Sequence, residues 1–436
     1  MRDSRYILLC LLAGMAFLLF LTSAAFGQSQ HCLADRYSQD ALFDSTEIQI
    51  TTDVHYATSM RWPGTQMDSL RMDVYQPDPN IDPLEKRPLI VMTHGGSFAA
   101  GTRSAMAYYC MEMARRGYVA ATISYRLGWN CPVGNGDPCI ICQGEAGKLK
   151  VATYRAVQDH RAAMRHLVHN AAEFGIDTSF IFVQGESAGS IASLNSVFWD
   201  QSEADAWCPT CVDNVGELDT AGNDLNDTYT IKGVVNHCGA VTNADILDGH
   251  QIPVISFHND PDCVVPYGTG QVINCLGCSA FYWASGSNSI QARLNINGIC
   301  TQRHSRQEFL PNHCTYYVQP LLKKSTCFLK DILCGNCSSA NTVNDFSIPD
   351  CAAGEIVSIT ENEAAQWVRL NRNRLIFEPQ VNVSSVQVFD VSMRLLMELP
   401  VNGSNRMELP VSLRGCMLVR IDAENRSSEV RKWCSF

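Results

Sequence analysis

Residues 179–198 read SFIFVQGESAGSIASLNSVF and join two local patterns that together predict a fold. The first six residues form the short apolar run of a buried strand, and the residues after Ser187 have helical spacing. Gly185 and Gly189 stand two positions before and two positions after that serine. So tight a turn from strand to helix leaves no room for side chains at these two positions. The pattern therefore predicts a serine hydroxyl at the carboxyl end of a sheet, beside a helix N-terminus.

Similar apolar runs recur along the chain and predict a mostly parallel sheet. Helical patterns at Ser104–Arg116 and Lys148–Glu173 lie between them, and repeated strand–helix–strand units place helices on both faces of a sheet. Upstream, Glu47–Thr52 and Ser69–Tyr75 alternate like an antiparallel pair that leads into the sheet. The predicted parallel strands are Pro88–Thr93, Tyr118–Ser124, Ser179–Gln184, Ile231–Asn236 and Ile252–Phe257.

From about residue 375 the apolar residues recur with a period of two, which is typical of short strands with one buried and one exposed face. Val386-Val388 and Met417-Val419-Ile421 are examples, and turn residues separate such runs. This predicts a small all-β domain after the α/β domain. We expect the order to be a signal peptide at 1–27, an α/β domain at 28–345, a connector with one or two helical turns at 346–374, and the β domain at 375–436.

The N-terminus has the layout of a secretory signal peptide. A basic start is followed by an apolar run at Tyr6–Leu21, and Ala25 and Gly27 precede a cleavage point at Gln28. The alternative is an uncleaved membrane anchor, because the stretch up to Phe26 is just long enough to span a bilayer. We expect cleavage, since polar residues follow the small residues directly. No later stretch of the sequence is long and apolar enough to cross a membrane, so we expect no stable membrane insertion.

Composition and charge narrow the class of protein. The chain has 436 residues, of which 46% are hydrophobic and 18% charged, as in a globular protein with a sizeable core. These values argue against a largely disordered or fibrous chain. The formal net charge is −11, and no basic run is present. Because phosphate binding needs clustered Lys and Arg, we expect no nucleic-acid partner.

The sequence contains 20 cysteines, and Cys10 leaves with the predicted signal peptide. In an exported protein the default fate of the others is disulfide formation, and their odd number leaves at least one free or paired with another molecule. We interpret the C-x-x-C pairs as disulfide-stapled loops; a zinc site or a thioredoxin-like motif is the alternative. The polar stretches 128–147 and 200–230 predict loops or cap insertions. The C-x-x-C pairs are Cys139/Cys142, Cys208/Cys211, Cys275/Cys278 and Cys334/Cys337.

A second glycine motif, HGGSF at His94–Phe98, directly follows a predicted strand. Gly95 and Gly96 carry no side chain to block access to their N–H groups. Together with the N–H of Ala188 they predict an oxyanion hole, which holds the negative charge of an acyl-transfer transition state. A plain glycine turn is the alternative. The position of the motif about ninety residues before Ser187 favours the oxyanion hole.

A serine nucleophile needs a histidine base, and the base needs a carboxylate that fixes its tautomer. In sheets of this kind the acid and then the histidine follow the serine along the chain. The loop after the last predicted strand offers Asp260 and Asp262, and we favour Asp262. Only His304 and His313 lie beyond that loop. We choose His313, which follows a short apolar run and a turn. His304 has polar and charged neighbours, so we expect it on the solvated surface.

These motifs resemble those of esterases and lipases of the α/β-hydrolase superfamily. HGGSF, SYRLG at Ser124–Gly128, GESAG and HNDPDCVVP at His258–Pro266 carry the resemblance, which extends over about residues 45–320. The most similar branch is that of carboxylesterases with an HGGG-type oxyanion loop. The resemblance implies an α/β-hydrolase fold and assigns the acid to Asp262.

Two positions depart from this pattern. Ser97 stands where many members carry a third glycine, and Ser190 stands where glycine is common after the elbow. Neither change removes a hydrogen-bond donor, but we expect both to alter the acyl pocket. The cysteine-rich inserts match no pattern of the family, so a cap and a substrate do not carry over.

The tail has a resemblance of its own. Val386–Asp390, then VSLRGCMLVRI at Val411–Ile421, then Lys432 are similar to a C-terminal sorting domain of the type IX secretion system. Such domains are β-sandwiches with a G-x-x-x-V-x-I strand and a basic residue near the terminus. Cys416 and Met417 stand here where an aromatic residue is usual. The resemblance implies secretion or surface attachment through that machinery; an accessory domain that binds carbohydrate is the alternative.

The sequence thus predicts a secreted serine esterase that uses Ser187, Asp262 and His313, with neither metal nor cofactor. The expected partner is an ester substrate, such as an acylated polysaccharide or a polyester. An exported serine peptidase of the same fold is one alternative, although such enzymes usually carry a large extra domain. A non-catalytic surface binding protein is another, which the presence of a candidate for every triad position disfavours.

Overall fold

The structure is a computed structural model, and it divides into two compact units, Met1–Gly354 and Glu355–Phe436. The predicted signal peptide and most of the stretch 128–147 lie outside the residues that the structure describes. Most of the predicted connector 346–374 lies outside them too. The described residues are 30–33, 36–129, 146–275, 281–351, 368–371, 374–377, 382–389, 395–399, 406–409, 415–423 and 429–435.

The first unit alternates strands and helices. Its described strands are β1 (Ile48–Met60), β2 (Met67–Pro77), β3 (Arg87–Thr93), β4 (Val119–Ile123), β5 (Ile176–Glu186), β6 (Ile231–His237), β7 (Ala240–Val241), β8 (Val254–Asp260), β9 (Thr269–Gln271), β10 (Trp283–Gly286), β11 (Thr301–Gln307) and β12 (Ala340–Val343). Its described α-helices are α1 (Ala107–Ala114), α2 (Ala146–His169), α3 (Ala188–Phe198), α4 (Gln201–Trp207), α5 (Cys211–Val215), α6 (Ser287–Ile296) and α7 (Val318–Cys334).

Nine of these strands form one sheet in the order β1-β2-β4-β3-β5-β6-β8-β11-β12. Strand β2 pairs antiparallel with β1 and with β4, and every other pairing in this sheet is parallel. The remaining strands, β7, β10 and β9, form a small antiparallel sheet. The predicted α/β class with a mostly parallel sheet is therefore confirmed.

The core lies on both faces of the large sheet, as β3 illustrates. All seven of its residues are buried. Leu89 and Val91 belong to the core cluster that includes residues of α2 and α3, whereas Ile90 and Met92 belong to the cluster that includes residues of α1 and α7. Because successive side chains of a strand point to opposite faces, a strand covered by helices on both sides must be apolar throughout.

One expectation about local structure was wrong. His304 is 4% exposed and lies in β11, between β8 and β12, and not on the solvated surface. Its ring stacks on Phe257 and its Nδ1 lies 2.7 Å from Thr342 Oγ1, while burial lowers its pKa to about 3. The strand β11 is polar in sequence but largely buried. Its polar side chains can be buried because they form hydrogen bonds with neighbouring side chains. The stretch 200–230, expected as loops or a cap insertion, contains the short helices α4 and α5.

Among the cysteines whose side chains the structure describes, twelve form six disulfides and Cys110 is free and buried. Only Cys208 and Cys211, among the C-x-x-C pairs described on both sides, are bonded to each other. The cysteines of the pair at 334 and 337 bond to distant partners instead. The other five bridges are Cys32–Cys334, Cys238–Cys314, Cys263–Cys275, Cys300–Cys337 and Cys327–Cys351.

The second unit contains two antiparallel sheets. One has the order β13-β14-β17 and the other β16-β15-β18-β19. Leu375 of the first sheet and Val386, Val419 and Ile421 of the second share one buried cluster, so the two sheets enclose a common core. The strand β13 falls inside the predicted connector. The strands are β13 (Val368–Asn371), β14 (Arg374–Phe377), β15 (Val383–Phe389), β16 (Leu395–Leu399), β17 (Arg406–Glu408), β18 (Gly415–Ala423) and β19 (Glu429–Ser435).

Six disulfides are typical of an extracellular protein, because oxidising compartments allow them to form and persist. Among the helices in the described part of the chain, none has the length and apolar character needed to cross a bilayer.

Candidate active site

Ser187 lies in a sharp turn between β5 and α3. Its backbone has φ 53° and ψ −122°, a conformation that L residues rarely adopt. A Cβ atom on Gly185 would lie 2.4 Å from Ser190 Cα, and one on Gly189 would lie 2.2 Å from Thr93 O. Both positions therefore require glycine on steric grounds. The N–H of Ser187 donates to His237 O at 2.9 Å, which ties the turn to the end of β6.

The HGGSF loop runs beside this turn. A Cβ atom on Gly95 would lie 3.1 Å from Ser187 Cβ, and one on Gly96, where φ is 118°, would lie 2.1 Å from Ala100 O. Within the described chain, the N–H groups of Gly95, Gly96 and Ala188 donate to no protein acceptor. Three donors without internal partners thus surround the hydroxyl-bearing turn, as an oxyanion hole requires.

His94 helps to orient one of these donors. Its Nδ1 donates to Gly95 O at 2.7 Å. The carbonyl of Gly95 and the N–H of Gly96 belong to one planar trans peptide unit and point in opposite directions. Fixing the carbonyl therefore fixes the N–H of Gly96. The sequence reasoning included His94 only as the first letter of the motif and did not assign it this role.

Residues of the SYRLG segment and its successor hold the HGGSF loop in place. The hydroxyl of Tyr125 donates to His94 O at 3.0 Å, and Trp129 Nε1 donates to Ser97 O at 2.8 Å. The ring of Tyr125 also stacks on the ring of His94, with 4.5 Å between the centroids. The SYRLG segment and Trp129 therefore support the HGGSF loop.

The three residues predicted as a triad lie in hydrogen-bond contact. Ser187 Oγ is 2.7 Å from His313 Nε2, and His313 Nδ1 is 2.6 Å from Asp262 Oδ2. Because Nδ1 donates to the carboxylate, the lone pair of Nε2 faces the serine hydroxyl. This geometry lets the ring accept the serine proton during an attack on a carbonyl. The competing residues His304 and Asp260 are not among the hydrogen-bond partners of Ser187 or His313.

Asp262 is the most constrained group of the site. Its side chain is fully buried. Oδ1 accepts the N–H groups of Val264 and Val265, while Oδ2 accepts His313 Nδ1 and also lies 3.3 Å from His258 Nε2. Burial opposes ionisation of the carboxyl, but the hydrogen bonds from His258 and His313 outweigh it and lower the pKa of Asp262 to about 2.

His258 is a residue that the sequence reasoning did not single out. Its Nδ1 lies 2.7 Å from Ser287 Oγ, which in turn accepts Asn236 Nδ2 at 3.0 Å, so the serine donates to His258. The protonated Nε2 then points towards Asp262 and Val265 O. The available signal was the position of His258 at the strand end, four residues before Asp262.

The low pKa of Asp262 makes the stability of the fold depend on pH. A carboxyl whose pKa is lowered by folding stabilises the protein above its unfolded pKa, near 4, and loses this contribution as the pH falls towards 2. We expect the free energy of unfolding to fall by about 2 kcal/mol over that range on account of this residue. Urea unfolding at pH 5 and pH 2.5, with disulfides intact, would measure it. The same pH change should cost Asp262→Asn about 2 kcal/mol less; equal losses in both proteins would contradict the assignment.

Next to Ser187 lies an apolar pocket of about 290 Å³, part of which is open to solvent. Of the described residues that line it, none carries a charge. Tyr282 contributes its ring, since its hydroxyl is already engaged with Thr153 Oγ1 at 3.2 Å. Side chains that define the pocket include those of Phe98, Leu149, Ile191, Val265, Ile273 and Tyr282.

A half-buried carboxylate and a buried imidazole form a pair next to the turn. Glu186 Oε2 lies 3.3 Å from His237 Nδ1, and the hydrogen bond from His237 is the main reason why the pKa of Glu186 is lowered. His237 precedes Cys238, which is bonded to Cys314, the neighbour of His313. Within the described residues, His237 and these two cysteines form the one cluster with metal-ligand spacing. Its two sulfurs are joined to each other and offer no thiolate.

Comparison with known proteins agrees with the resemblance of the motifs. The model of the Carboxylesterase family matches residues 27–203, a range that includes the HGGSF loop and Ser187 but ends before Asp262 and His313. A para-nitrobenzyl esterase of Bacillus subtilis is 33% identical over 135 residues, which cover 30% of this chain and 25% of that protein. The cAMP-regulated D2 protein of Dictyostelium discoideum is 30% identical over 188 residues, 42% of this chain and 31% of that protein. The chain spans less than a third of the length of the first curated relatives it matches.

Among solved structures, an esterase 2 of Thermogutta terrifontis phosphorylated by paraoxon aligns with a TM-score of 0.43 and 17% identity, over 66% of this chain and 95% of that one. A truncated carbohydrate esterase from gut microbiota aligns with a TM-score of 0.43 and 18% identity, over 67% and 99%. The sheet order, the flanking helices and the turn at Ser187 are themselves those of an α/β-hydrolase fold. On this fold, the chain is similar to the Carboxylesterase family over residues 27–203.

Proposed function

We propose that this protein is a serine hydrolase of carboxylic esters. The observation that supports this most directly is the continuous hydrogen-bonded series from Ser187 through His313 to Asp262, beside three N–H groups that lack internal partners. A nucleophile, a base, a group that orients the base and an oxyanion site are the four parts that acyl transfer needs.

In the first half of the reaction, Ser187 Oγ attacks the ester carbonyl carbon while His313 Nε2 takes the hydroxyl proton. The negative charge that forms on the carbonyl oxygen is held by the N–H groups of Gly95, Gly96 and Ala188. Asp262 stabilises the histidine cation without taking its proton. The intermediate then collapses, and the departing alcohol takes the proton from Nε2, which leaves the acyl group on the serine.

In the second half, water replaces the alcohol. His313 Nε2 takes a proton from the water as its oxygen attacks the acyl carbon, and the same N–H groups hold the new negative charge. Collapse returns the proton to Ser187 Oγ and releases the carboxylic acid. The low pKa of Asp262 keeps its charge present across the whole neutral range, so the histidine cation is always compensated.

The apolar pocket supports an uncharged acyl group as the part of the substrate that lies against Ser187. A carboxylate or ammonium group there would be desolvated without a partner. The direct test is hydrolysis of p-nitrophenyl esters from acetate to dodecanoate by the purified protein. A peptide p-nitroanilide, in which an amide replaces the ester, is measured under the same conditions. Ester turnover without anilide turnover is expected. Anilide turnover at a comparable rate would instead support the peptidase alternative.

Leu149 should set the preferred length of the acyl chain. It is 2% exposed and lies in the first turn of α2 against the pocket. Truncation in Leu149→Ala removes three carbons, so we expect the preferred chain to lengthen by about two carbons, with at least a tenfold change in the ratio of kcat/KM for octanoate over butyrate. The ester series measures this directly.

Leu167→Ala is the matched control for this substitution. Leu167 is fully buried on the same helix but packs in another core cluster, away from the pocket. It should lower stability and leave the chain-length preference unchanged. A similar shift in both variants would show that the pocket does not hold the acyl chain.

We further infer that the protein is exported by the predicted signal peptide and sorted by its C-terminal β unit, with the type IX secretion machinery as partner. Six disulfides and the double-sheet form of the tail support this. Acylated polysaccharide or polyester is the proposed substrate in that setting. Fusing the tail to a periplasmic reporter in a host with this machinery should move the reporter to the cell surface or medium; retention in the periplasm would refute the sorting role.

A further inference from the structure

We propose that the Cys238–Cys314 disulfide is a positioning element of the active site, which keeps His313 available to Ser187 and makes the activity depend on the oxidised form of this one bridge. The inference rests on the proposed esterase function and goes beyond it, because neither cysteine takes part in acyl transfer. Both cysteines directly follow a histidine of the site, His237 and His313.

One end of the bridge is attached to the nucleophile turn. Cys238 is fully buried directly after β6, and its N–H donates to Phe257 O at 2.8 Å. The preceding residue, His237, accepts the N–H of Ser187 through its carbonyl at 2.9 Å. The sulfur of Cys238 is therefore held one residue away from a direct hydrogen bond to the nucleophile.

The other end is attached to the loop that carries the base. The residues before His313 are strongly exposed; Phe309 is 99% and Leu310 69% exposed. On this side the loop is held by hydrogen bonds such as that from the N–H of Asn312 to Pro261 O, at 3.1 Å. The bond from Cys314 to Cys238 is the covalent link that ties His313 to the sheet end where Ser187 lies. A displacement of about 1 Å in a catalytic group can lower a rate a hundredfold.

The sulfur of Cys314 also lies 3.2 Å from His313 Nε2, the atom that receives the Ser187 hydroxyl hydrogen at 2.7 Å. In the disulfide this sulfur carries no hydrogen and does not compete for the lone pair of Nε2. A free thiol at the same place would donate to Nε2 or transfer its proton to it, giving a thiolate beside a histidine cation. Either way, Nε2 could no longer accept the proton of Ser187.

Reduction would produce this state. A dithiol supplies two electrons and two protons, the bond between the two sulfurs breaks, each cysteine becomes a thiol, and the dithiol closes into its own disulfide. Because a reductant would also act on the other bridges, single substitutions are the cleaner test. Cys238→Ala leaves a thiol against His313, whereas Cys314→Ala leaves one on Cys238; both variants lack the bridge.

In Cys314→Ala the base His313 is less well held, so we expect kcat for p-nitrophenyl butyrate to fall about tenfold to a hundredfold. KM should change less than threefold. In Cys238→Ala we expect kcat to be at least tenfold lower than in Cys314→Ala, because the free Cys314 thiol also occupies His313 Nε2. Treatment with methyl methanethiosulfonate caps the Cys314 thiol as a mixed disulfide without a proton. It should restore Cys238→Ala to the level of Cys314→Ala and leave the latter unchanged.

The double variant Cys300→Ala/Cys337→Ala is the matched control, since that bridge lies at the amino end of β11, opposite the site. It should lose thermal stability but keep kcat within about threefold of the parent protein. Wild-type kcat in both single variants, or no effect of the capping reagent on Cys238→Ala, would overturn the proposal while the esterase function stands.

A further measurement keeps the two proposals separable. The rate at which iodoacetamide alkylates Cys314 in Cys238→Ala, followed by mass spectrometry, does not depend on ester turnover. From the pH dependence of this rate, we expect the pKa of the Cys314 thiol in Cys238→Ala to lie well below the usual value of about 8.5. In Cys238→Ala/His313→Ala we expect that pKa to return to the usual value. An unshifted thiol would overturn the contact with His313. Absence of ester turnover in the oxidised parent would instead refute the esterase function.

Discussion

Ser187→Ala is expected to lower kcat/KM for p-nitrophenyl butyrate by about 10⁵-fold, because the attacking oxygen is lost while the binding pocket and the N–H groups of the oxyanion site are kept. The methyl group of alanine fits where Ser187 stands, so the melting temperature should change little. Residual turnover, at about 10³-fold above water, is expected from the oxyanion site alone. Steady-state rates over the ester series measure the effect.

Ser196→Ala is the matched control on the same helix. Its hydroxyl bonds to Ser193 O and to His160 Nδ1 within the core and faces no substrate. We expect kcat/KM within about threefold of the parent protein. Diethyl p-nitrophenyl phosphate should also add one diethylphosphoryl group to the parent protein, on the peptide that contains Ser187. The same reagent should leave Ser187→Ala unmodified. Equal ester rates in Ser187→Ala and the parent protein would refute the proposed nucleophile.

Asp262→Asn is expected to lower kcat by about 10⁴-fold through a change of tautomer. The amide oxygen of the new residue would accept the N–H groups of Val264 and Val265, as Oδ1 does now. Its NH₂ group would then face His313, which would have to present an unprotonated Nδ1 and carry its hydrogen on Nε2. In that form Nε2 cannot accept the proton of Ser187. Rates at saturating p-nitrophenyl butyrate, from pH 6 to pH 9, measure the loss.

Asp260→Asn tests Asp260, the alternative acid that the sequence offers, against Asp262. Like Asp262→Asn, it replaces a carboxylate by an amide of the same shape. Asp260 lies two residues before Asp262, at the end of β8, and its carboxylate forms no described hydrogen bond or ion pair with His258 or His313. We expect kcat within about threefold of the parent protein. A loss in Asp260→Asn as large as that in Asp262→Asn would point to a general disturbance of the loop and not to the tautomer of His313.

The strand, turn and helix around Ser187 could be predicted because short-range sterics determine them. Gly185 and Gly189 are required by contacts of 2.4 and 2.2 Å that any side chain would make. The apolar runs of β3 to β6 and β8 could be predicted for a similar reason, since a strand buried on both faces has few polar residues.

Other features depend on partners that are distant in sequence, and no local pattern shows them. The strand β11 is polar in sequence, but Arg303 and His304 form hydrogen bonds with Asn341 and Thr342 of the neighbouring strand β12. The burial of His304 follows from these pairs. The support of Asp262 by His258 depends likewise on Ser287, which lies 29 residues further along the chain. The pairing of Cys238 with Cys314 spans 76 residues, and cysteine spacing does not determine such connectivity.

The bond between Cys32 and Cys334 joins positions 302 residues apart and so encloses nearly all of the first unit in one covalent ring. In a chain-entropy view, such a ring disfavours the unfolded state by roughly 5–6 kcal/mol. It also changes what a protease can achieve. A single cut anywhere between the two cysteines opens the ring but leaves both pieces attached, so the sheet can close again around Ser187. An enzyme that works among extracellular proteases would in this way survive a nick that separates the halves of an unbridged chain.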